Sequence, residues 1–274
     1  MSPQPRIAVI APNILNGYSA QLVASIQAES FEAGVDAVTY VANAARSKGG
    51  PEYFYTKLIA GKDAAAVIII SCGINKLIMD GFASAGITPV LVDVRYPGVN
   101  CVRSDNEKGA YEAARHLVKS GREKFGMIVG NIEEADTQQE RHAGFIKGLE
   151  AEGRKFSEEL VWLNHDYTYK SGREALRFMV MNDVDAVFCA AGDYVAQGFL
   201  SEARKNGVEV PRNISIIGYD DIESSADLEL TTVKQPLEEM GKEAIRMAVE
   251  AIKNPNTQPM EKVFDCRLVL RETA

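Results

Sequence analysis

Membrane-length apolar runs, paired cysteines and clustered positive charge are all missing from this 274-residue sequence. The longest apolar run, Ala64–Ile70, is strand-sized, well short of the roughly 20 residues a membrane helix needs. The opening hexapeptide, Met1-Ser2-Pro3-Gln4-Pro5-Arg6, lacks the basic-then-apolar pattern of an export signal. Four cysteines, Cys72, Cys101, Cys189 and Cys266, stand far apart with no C-x-x-C pair. Cys72 and Cys189 fall at or inside apolar runs, where a buried reduced thiol is expected, so a reducing cytoplasm is the expected compartment. Thirty Lys and Arg face 38 Asp and Glu, a net charge of -8 with no basic run. Duplex affinity leans on clustered cations neutralising phosphates, so this chain is not expected to hold nucleic acid by itself.

Several chemistries lose their footholds in the same way. No G-x-G-x-x-G follows a strand-like run, and no G-x-x-x-x-G-K-[ST] is present, so the usual phosphate cradles are absent. There is no G-x-S-x-G nucleophile elbow. The three histidines, His116, His142 and His165, have no ligand-type spacing to one another or to a cysteine. His116 and His142 are read as solvated or locally bonded. No catalytic residue, metal site or cofactor is expected, and the chain is read as a non-enzyme.

What is present is a rhythm. Short β-branched runs alternate with helical stretches every 25 to 30 residues or so, as βαβ units do. Expected strands are Ile7–Ala11, Ala37–Val41, Ala64–Ile70, Pro89–Val92, Cys101–Arg103, Phe125–Val129, Ala186–Cys189 and Ile214–Gly218. Near-continuous apolar runs suit parallel strands covered on both faces. The clearest helix is Leu237–Ile252, with Leu237, Met240, Gly241, Ala244, Ile245, Ala248 and Ile252 on one stripe and Pro236 in its first turn. Ser104-Asp105-Asn106-Glu107 has the spacing of a capping box, opening a helix to about Ser120 with Gly121 closing it. Asp193 is expected to cap a further helix. The series runs twice, broken at Gly121-Arg122-Glu123-Lys124. One sheet holding every strand would be unusually wide, so the expectation is an α/β chain of two Rossmann-like lobes with parallel sheets. Ligands in such sheets sit beyond the carboxyl ends of strands, which directs attention to polar residues there.

Those strand-end residues form an ordered series. Ser215-Ile216-Ile217-Gly218-Tyr219-Asp220-Asp221, then Leu230-Thr231-Thr232-Val233-Lys234-Gln235-Pro236 and Met240-Gly241, resembles the carboxyl-terminal signature of the LacI/GalR family of bacterial repressors. Asn16-Gly17-Tyr18-Ser19 is similar to that family's N-P-F-F turn, and Ser104–Gly109 to its D-N-x-x-G. Arg141 with Gly144-Phe145 resembles its R-x-x-G-F, and Leu268–Thr273 its last strand. The resemblance covers essentially the whole chain. It implies two periplasmic-binding-protein-like lobes of type I, joined by three crossovers and closing on an effector in the cleft. The first lobe is expected at residues 5–121 plus 236–253, the second at 122–235 plus 254–274. The family's amino-terminal helix-turn-helix has no room here, because the first strand begins near Arg6; a truncated effector-binding core is expected rather than a natural relative without the DNA-binding domain.

The resemblance also implies site residues, each weighed against a blander role. Asp220 would accept ligand hydroxyls, or else cap the following turn; Asp221 is read as structuring that turn. Arg141 would reach the effector, or pair on the surface with Glu140 or Asp136. Asp105 either touches ligand or only caps its helix. Tyr167 offers an aromatic face for a sugar or nucleobase, or else fills the lobe core. Tyr18, Asn16 and Asn13 line the cleft or satisfy loop backbone. Gln235 lies at a crossover, serving hinge and ligand together, and Asp193 joins the candidate contacts. Two departures stand out: Gly192 replaces the family's effector-bonding Asn, and Ser19 replaces the second aromatic of the turn.

The implied function is the effector-sensing, dimeric core of a LacI-type transcription regulator, binding a sugar, sugar acid or sugar phosphate. A nucleobase is the weaker option. Operator DNA would be met only through the missing amino-terminal domain, and no membrane is involved. The competing expectation is a monomeric extracytoplasmic sugar-binding protein of a transport system.

Overall fold

The structure, a computed structural model, describes residues 4–14, 16–42, 50–132 and 135–274; residues 1–3 of the opening hexapeptide lie outside it. The chain forms two compact units. Met1–Ser104 with Pro236–Phe264 make the first, and Asp105–Gln235 with Asp265–Ala274 the second, so the chain passes between them three times.

In the first unit, β1 (Arg6–Ala11), β2 (Asp36–Val41), β3 (Ala66–Ile70), β4 (Thr88–Val92), β5 (Asn100–Ser104) and β11 (Glu261–Phe264) build one sheet in the order β11-β5-β4-β3-β1-β2. Every pairing in it is parallel. Alternation along the strands divides the core in two. Ile7, Val9, Ile68 and Ile70 pack under α1 (Gly17–Glu32) and α9 (Leu237–Lys253). Ala8, Ile10, Val67 and Ile69 pack under α2 (Gly50–Gly61) and α3 (Lys76–Ala85). Covered on both faces, β3 has all five residues buried, which is why Ala-Val-Ile-Ile-Ile carries no polar alternation.

The second unit repeats the plan. Its strands β6 (Phe125–Val129), β7 (Val161–Leu163), β8 (Ala186–Cys189), β9 (Ser215–Asp220), β10 (Thr232–Lys234) and β12 (Arg267–Val269) run in the order β12-β10-β9-β8-β6-β7. Only β12 is antiparallel to its neighbour. One face is covered by α4 (Asn106–Lys119) and α5 (Asp136–Ala151), the other by α6 (Tyr169–Met181) and α7 (Asp193–Lys205); α8 (Glu223–Asp227) is a single turn or so after β9. Glycine decides how closely each helix pair approaches. A Cβ on Gly144 would lie 2.2 Å from the Glu107 carbonyl oxygen, and one on Gly172 would lie 1.9 Å from that of Val195. Any side chain there would force the backbones apart.

The strands read from apolar runs are all present, with ends shifted by at most two residues, and β7, β10 and β11 are additional; the last strand, expected over Leu268–Thr273, is β12 and ends already at Val269. These three to four residue strands are too short for a periodic signal. The expected lobe boundaries need correction at two places. The polar break at 121 does not divide the units, because Ala110, Ala113, Ala114 and Leu117 of α4 pack on Phe125, Met127 and Phe145. Residues 254–264 likewise belong to the first unit, since β11 pairs with β5. Caps shift by a residue too. Ser104 ends β5 and Asp105 is the N-cap of α4, Gly192 rather than Asp193 caps α7, and Pro236 is the N-cap of α9. Gly121 takes the left-handed φ of 86° expected just past α4. All four cysteines are buried thiols. Among the described residues no helix is long and apolar enough to cross a membrane.

Candidate functional site

At the carboxyl edge of the second sheet, a buried polar cluster gathers around Arg141. The side chain comes from α5 and is 5% exposed. Its guanidinium carbon lies 3.7 Å from the centre of the Tyr219 ring, Nε donates to Asn106 Oδ1 at 2.8 Å, and Nη1 donates to the Ala190 carbonyl at 2.8 Å. Asn106, fully buried at the start of α4, donates in turn to Glu140 Oε2 at 3.3 Å. Glu140 is therefore one amide away from the arginine. A planar cation held by a ring face and two fixed acceptors keeps a set orientation, which a flexible ammonium would not.

Asp220 is the last residue of β9 and is buried, with a φ of 115°. Its Oδ1 accepts from Gln235 Nε2 at 2.6 Å. Gly192, the departure noted in the sequence, explains itself here. It has a φ of 107°, and a Cβ on it would lie 2.8 Å from Asp220 Oδ2. Its bareness makes room for the carboxylate.

Asp193 behaves differently from the expectation that it contacts ligand. It is fully buried, and both oxygens are engaged inside the unit. Oδ1 accepts from Thr232 Oγ1 at 2.6 Å; Oδ2 accepts from Ser225 Oγ at 2.7 Å and the Ile222 N–H at 3.2 Å. It ties α7, α8 and β10 together behind Asp220. Burial, and then the negative charge of Asp220, push its carboxyl well above the usual carboxylate range. Asp221 also has a structural role, pairing with Arg271 at 2.6 Å and Lys234 at 3.4 Å.

Tyr167 follows β7 with a φ of 52° and is half-buried. Asn164, fully buried, sets that turn: its Oδ1 accepts the Tyr167 N–H at 2.8 Å and the Asp166 N–H at 3.3 Å. A line of bonds joins this turn's neighbourhood to Arg141. The Gly130 N–H donates to Gln138 Oε1 at 2.8 Å, and Gln138 Nε2 donates at 3.4 Å to the carbonyl of Ala190 that Arg141 also holds. Asp105 accepts the Lys108 N–H at 3.0 Å as the α4 cap.

The first unit carries a smaller cluster of its own. Tyr18 Oη donates to Asp93 Oδ2 at 2.5 Å and lies 3.1 Å from Ser71 Oγ. Asp93 and Ser71 sit just beyond β4 and β3 with φ of 54° and 45°, and Asp93 Oδ1 accepts the Ser104 N–H at 3.3 Å. Non-glycine residues at such φ cost about 1 kcal/mol or more and are retained where a side chain must be aimed. Asn16 caps α1 through the Ser19 N–H at 3.0 Å, and Asn13 Oδ1 accepts the Asn16 N–H at 3.2 Å, so both serve local backbone.

Asp220 and Gln235 are thus bonded to each other in the second unit, Arg141 stacks on Tyr219, the residue before Asp220, and Tyr167 is linked to the Arg141 group through Gly130 and Gln138. Asn13, Asn16 and Tyr18 belong to the first. Sequence reasoning passed over Ser71 and Asp93, although both obey the strand-end rule it applied. Asn106 lies within the D-N-x-x-G resemblance but reads there only as part of a helix start, and Gln138 and Asn164 carry no such signal. Among the described residues no group of three acidic, His or Cys side chains is placed to hold a metal ion.

Comparison with known proteins follows the same lines. The profile of the periplasmic binding protein-like domain matches residues 114–274. The HTH-type transcriptional regulator CelR of Thermobifida fusca is 31% identical over 223 residues, which is 78% of this chain and 65% of that protein. The HTH-type transcriptional repressor PurR of Photobacterium profundum is 26% identical over 276 residues, 97% of this chain and 80% of its own length. Among solved structures, a CelR–cellobiose complex superposes with a TM-score of 0.88 at 26% identity, covering 100% of this chain and 86% of that one.

Proposed function

We propose a function from one premise: the chain belongs to the LacI/GalR family and carries its periplasmic binding protein-like domain. It is the effector-sensing core of a transcription regulator, and its effector is a sugar or sugar derivative. The observation that carries this reading is the buried second-unit cluster, in which Asp220 presents a carboxylate and Arg141 a fixed donor fork. A carboxylate accepts two hydrogen bonds from neighbouring hydroxyls, and a guanidinium donates to ring or hydroxyl oxygens, or to the acid of a sugar acid or phosphate. Tyr167 supplies an aromatic surface for the C–H face of a ring. The CelR structure is described as a cellobiose complex, a ligand of this chemical class.

Regulation follows from linkage. The effector must bind two states of the regulator unequally, and DNA then alters effector affinity by the same factor. In this reading the core forms homodimers in the cytoplasm and reaches operator DNA through an amino-terminal domain. The name shared by the relatives, HTH-type regulators, favours it over a transport-linked binding protein. A thermal-shift screen with cellobiose, monosaccharides, sugar acids, sugar phosphates and nucleobases tests it, followed by Asp220→Ala and Arg141→Ala. A ligand whose affinity survives both substitutions sinks the proposed site. Sedimentation at micromolar concentration separates the dimeric regulator from a monomeric binding protein.

A further inference from the structure

The Tyr167 phenol occupies the space that a side chain at position 130 would take. A Cβ on Gly130 would lie 1.9 Å from Tyr167 Oη, 2.4 Å from Cζ and 2.7 Å from Cε1. All three nearest atoms belong to that one ring. Gly130 is not among the left-handed glycines, so its backbone makes no demand for glycine. The demand comes from the tyrosine.

The other end of Tyr167 is fixed just as closely. Asn164 holds the turn through the Tyr167 N–H, and its own N–H donates at 2.8 Å to the carbonyl of Val129, the residue before Gly130. Val129, Asn164, Tyr167 and Gly130 therefore close a short circuit at the carboxyl ends of β6 and β7. The amide turn places the Tyr167 backbone at its φ of 52°, and the bare Gly130 Cα admits the ring. The Gly130 N–H, bonded to Gln138, anchors the same spot to the Arg141 line.

We infer that Gly130 is a positioning residue of the effector site, whose missing side chain seats the Tyr167 ring where a sugar ring packs on it. This rests on the reading that Tyr167 touches effector. An aromatic face discriminates among sugars by where its plane lies, because the contact follows the pattern of C–H groups on one side of the ring. Gly130 acts on affinity only through the tyrosine. Alanine at 130 lifts the phenol while leaving Asp220 and Arg141 alone.

The test uses the wild type, Gly130→Ala, Tyr167→Ala and the double variant, each titrated calorimetrically with cellobiose and with glucose. The same proteins carry 3-fluorotyrosine for 19F NMR, with Tyr167→Phe identifying the Tyr167 resonance. Gly130→Ala is expected to move that resonance and to weaken sugar binding tenfold or more. In the Tyr167→Ala background it is expected to change affinity less than twofold, because the ring it displaces is gone. Should Gly130→Ala alone lower stability, the double variant is expected to restore it. An unmoved Tyr167 resonance overturns the inference, as does an equal loss of affinity in both backgrounds. If Tyr167→Ala leaves affinity unchanged, it is the reading of Tyr167 as an effector contact that fails. If neither sugar binds, the resonance decides the positioning alone.

Discussion

Replacing Arg141 by lysine keeps the charge and most of the stem but removes the fork. The structure sets the size of the effect. A single ammonium cannot reproduce the paired directions of Nε and Nη1, which reach Asn106 and Ala190 at 2.8 Å each, so one of the two charged bonds is lost; the Ala190 carbonyl keeps the Gln138 amide, and the costlier loss is at Asn106 Oδ1. A hydrogen bond to a charged group contributes about 1.5–3 kcal/mol, and an orphaned buried acceptor costs about 1–3 kcal/mol. The planar stack on Tyr219 at 3.7 Å weakens too, at up to about 2 kcal/mol for a desolvated pair. These contributions overlap, and about 2–4 kcal/mol is expected for Arg141→Lys. Urea unfolding followed by tyrosine fluorescence reads it as a lower midpoint at unchanged slope. Arg141→Met serves as a control that fills the same volume without charge and is expected to lose at least as much. A loss below about 0.5 kcal/mol for Arg141→Lys refutes the argument, since it would mean that neither acceptor nor ring depends on the guanidinium.

Other substitutions probe the neighbours. Asp193 has its carboxyl pushed up by burial, so between the unfolded and folded values the folded chain binds the extra proton and stability falls as pH rises. Urea unfolding from pH 4 to 8 is expected to show the wild type losing up to about 1.4 kcal/mol per pH unit relative to Asp193→Asn. Flat curves for both would show that Asp193 is buried as a carboxylate instead. Gly192→Ala forces a side chain into a conformation open almost only to glycine, beside Asp220, and is expected to cost about 1–3 kcal/mol of stability. An unchanged unfolding midpoint would contradict it. In the first unit, Tyr18→Phe removes the donor to Asp93 and is expected to lower stability by about 1–3 kcal/mol in urea unfolding. A midpoint equal to that of the wild type would refute the value placed on that bond.

Much of this architecture was legible because parallel strands buried on both faces write themselves as plain apolar runs, as Ala66–Ile70 does. The long amphipathic α9 was equally clear, its stripe of Leu237, Met240, Ala244, Ile245 and Ala248 being the buried side. Where sequence reasoning stumbled, the deciding contact was distant. Nothing local to Gly121–Lys124 says that α4 packs with α5, because the deciding contacts are Gly144 and Gly148 against the α4 backbone. Strand-end polarity pointed to Asp220 and to Tyr18, but it could not separate a carboxylate that faces ligand from one sealed inside. Asp193 shows the difference: only the structure reveals Thr232, Ser225 and Ile222 closing around it. Gly192 looked like a lost hydrogen-bonding group until Asp220 was seen beside it.

The central claim is that Asp220 holds the hydroxyls of a sugar effector. Calorimetric titration of the screened sugar into wild type and Asp220→Asn tests it most directly, because asparagine keeps the shape and removes the charge. Losing charged acceptance of one or two hydroxyls at about 1.5–3 kcal/mol each predicts an affinity at least about tenfold weaker. Equal dissociation constants for the two proteins would contradict the account.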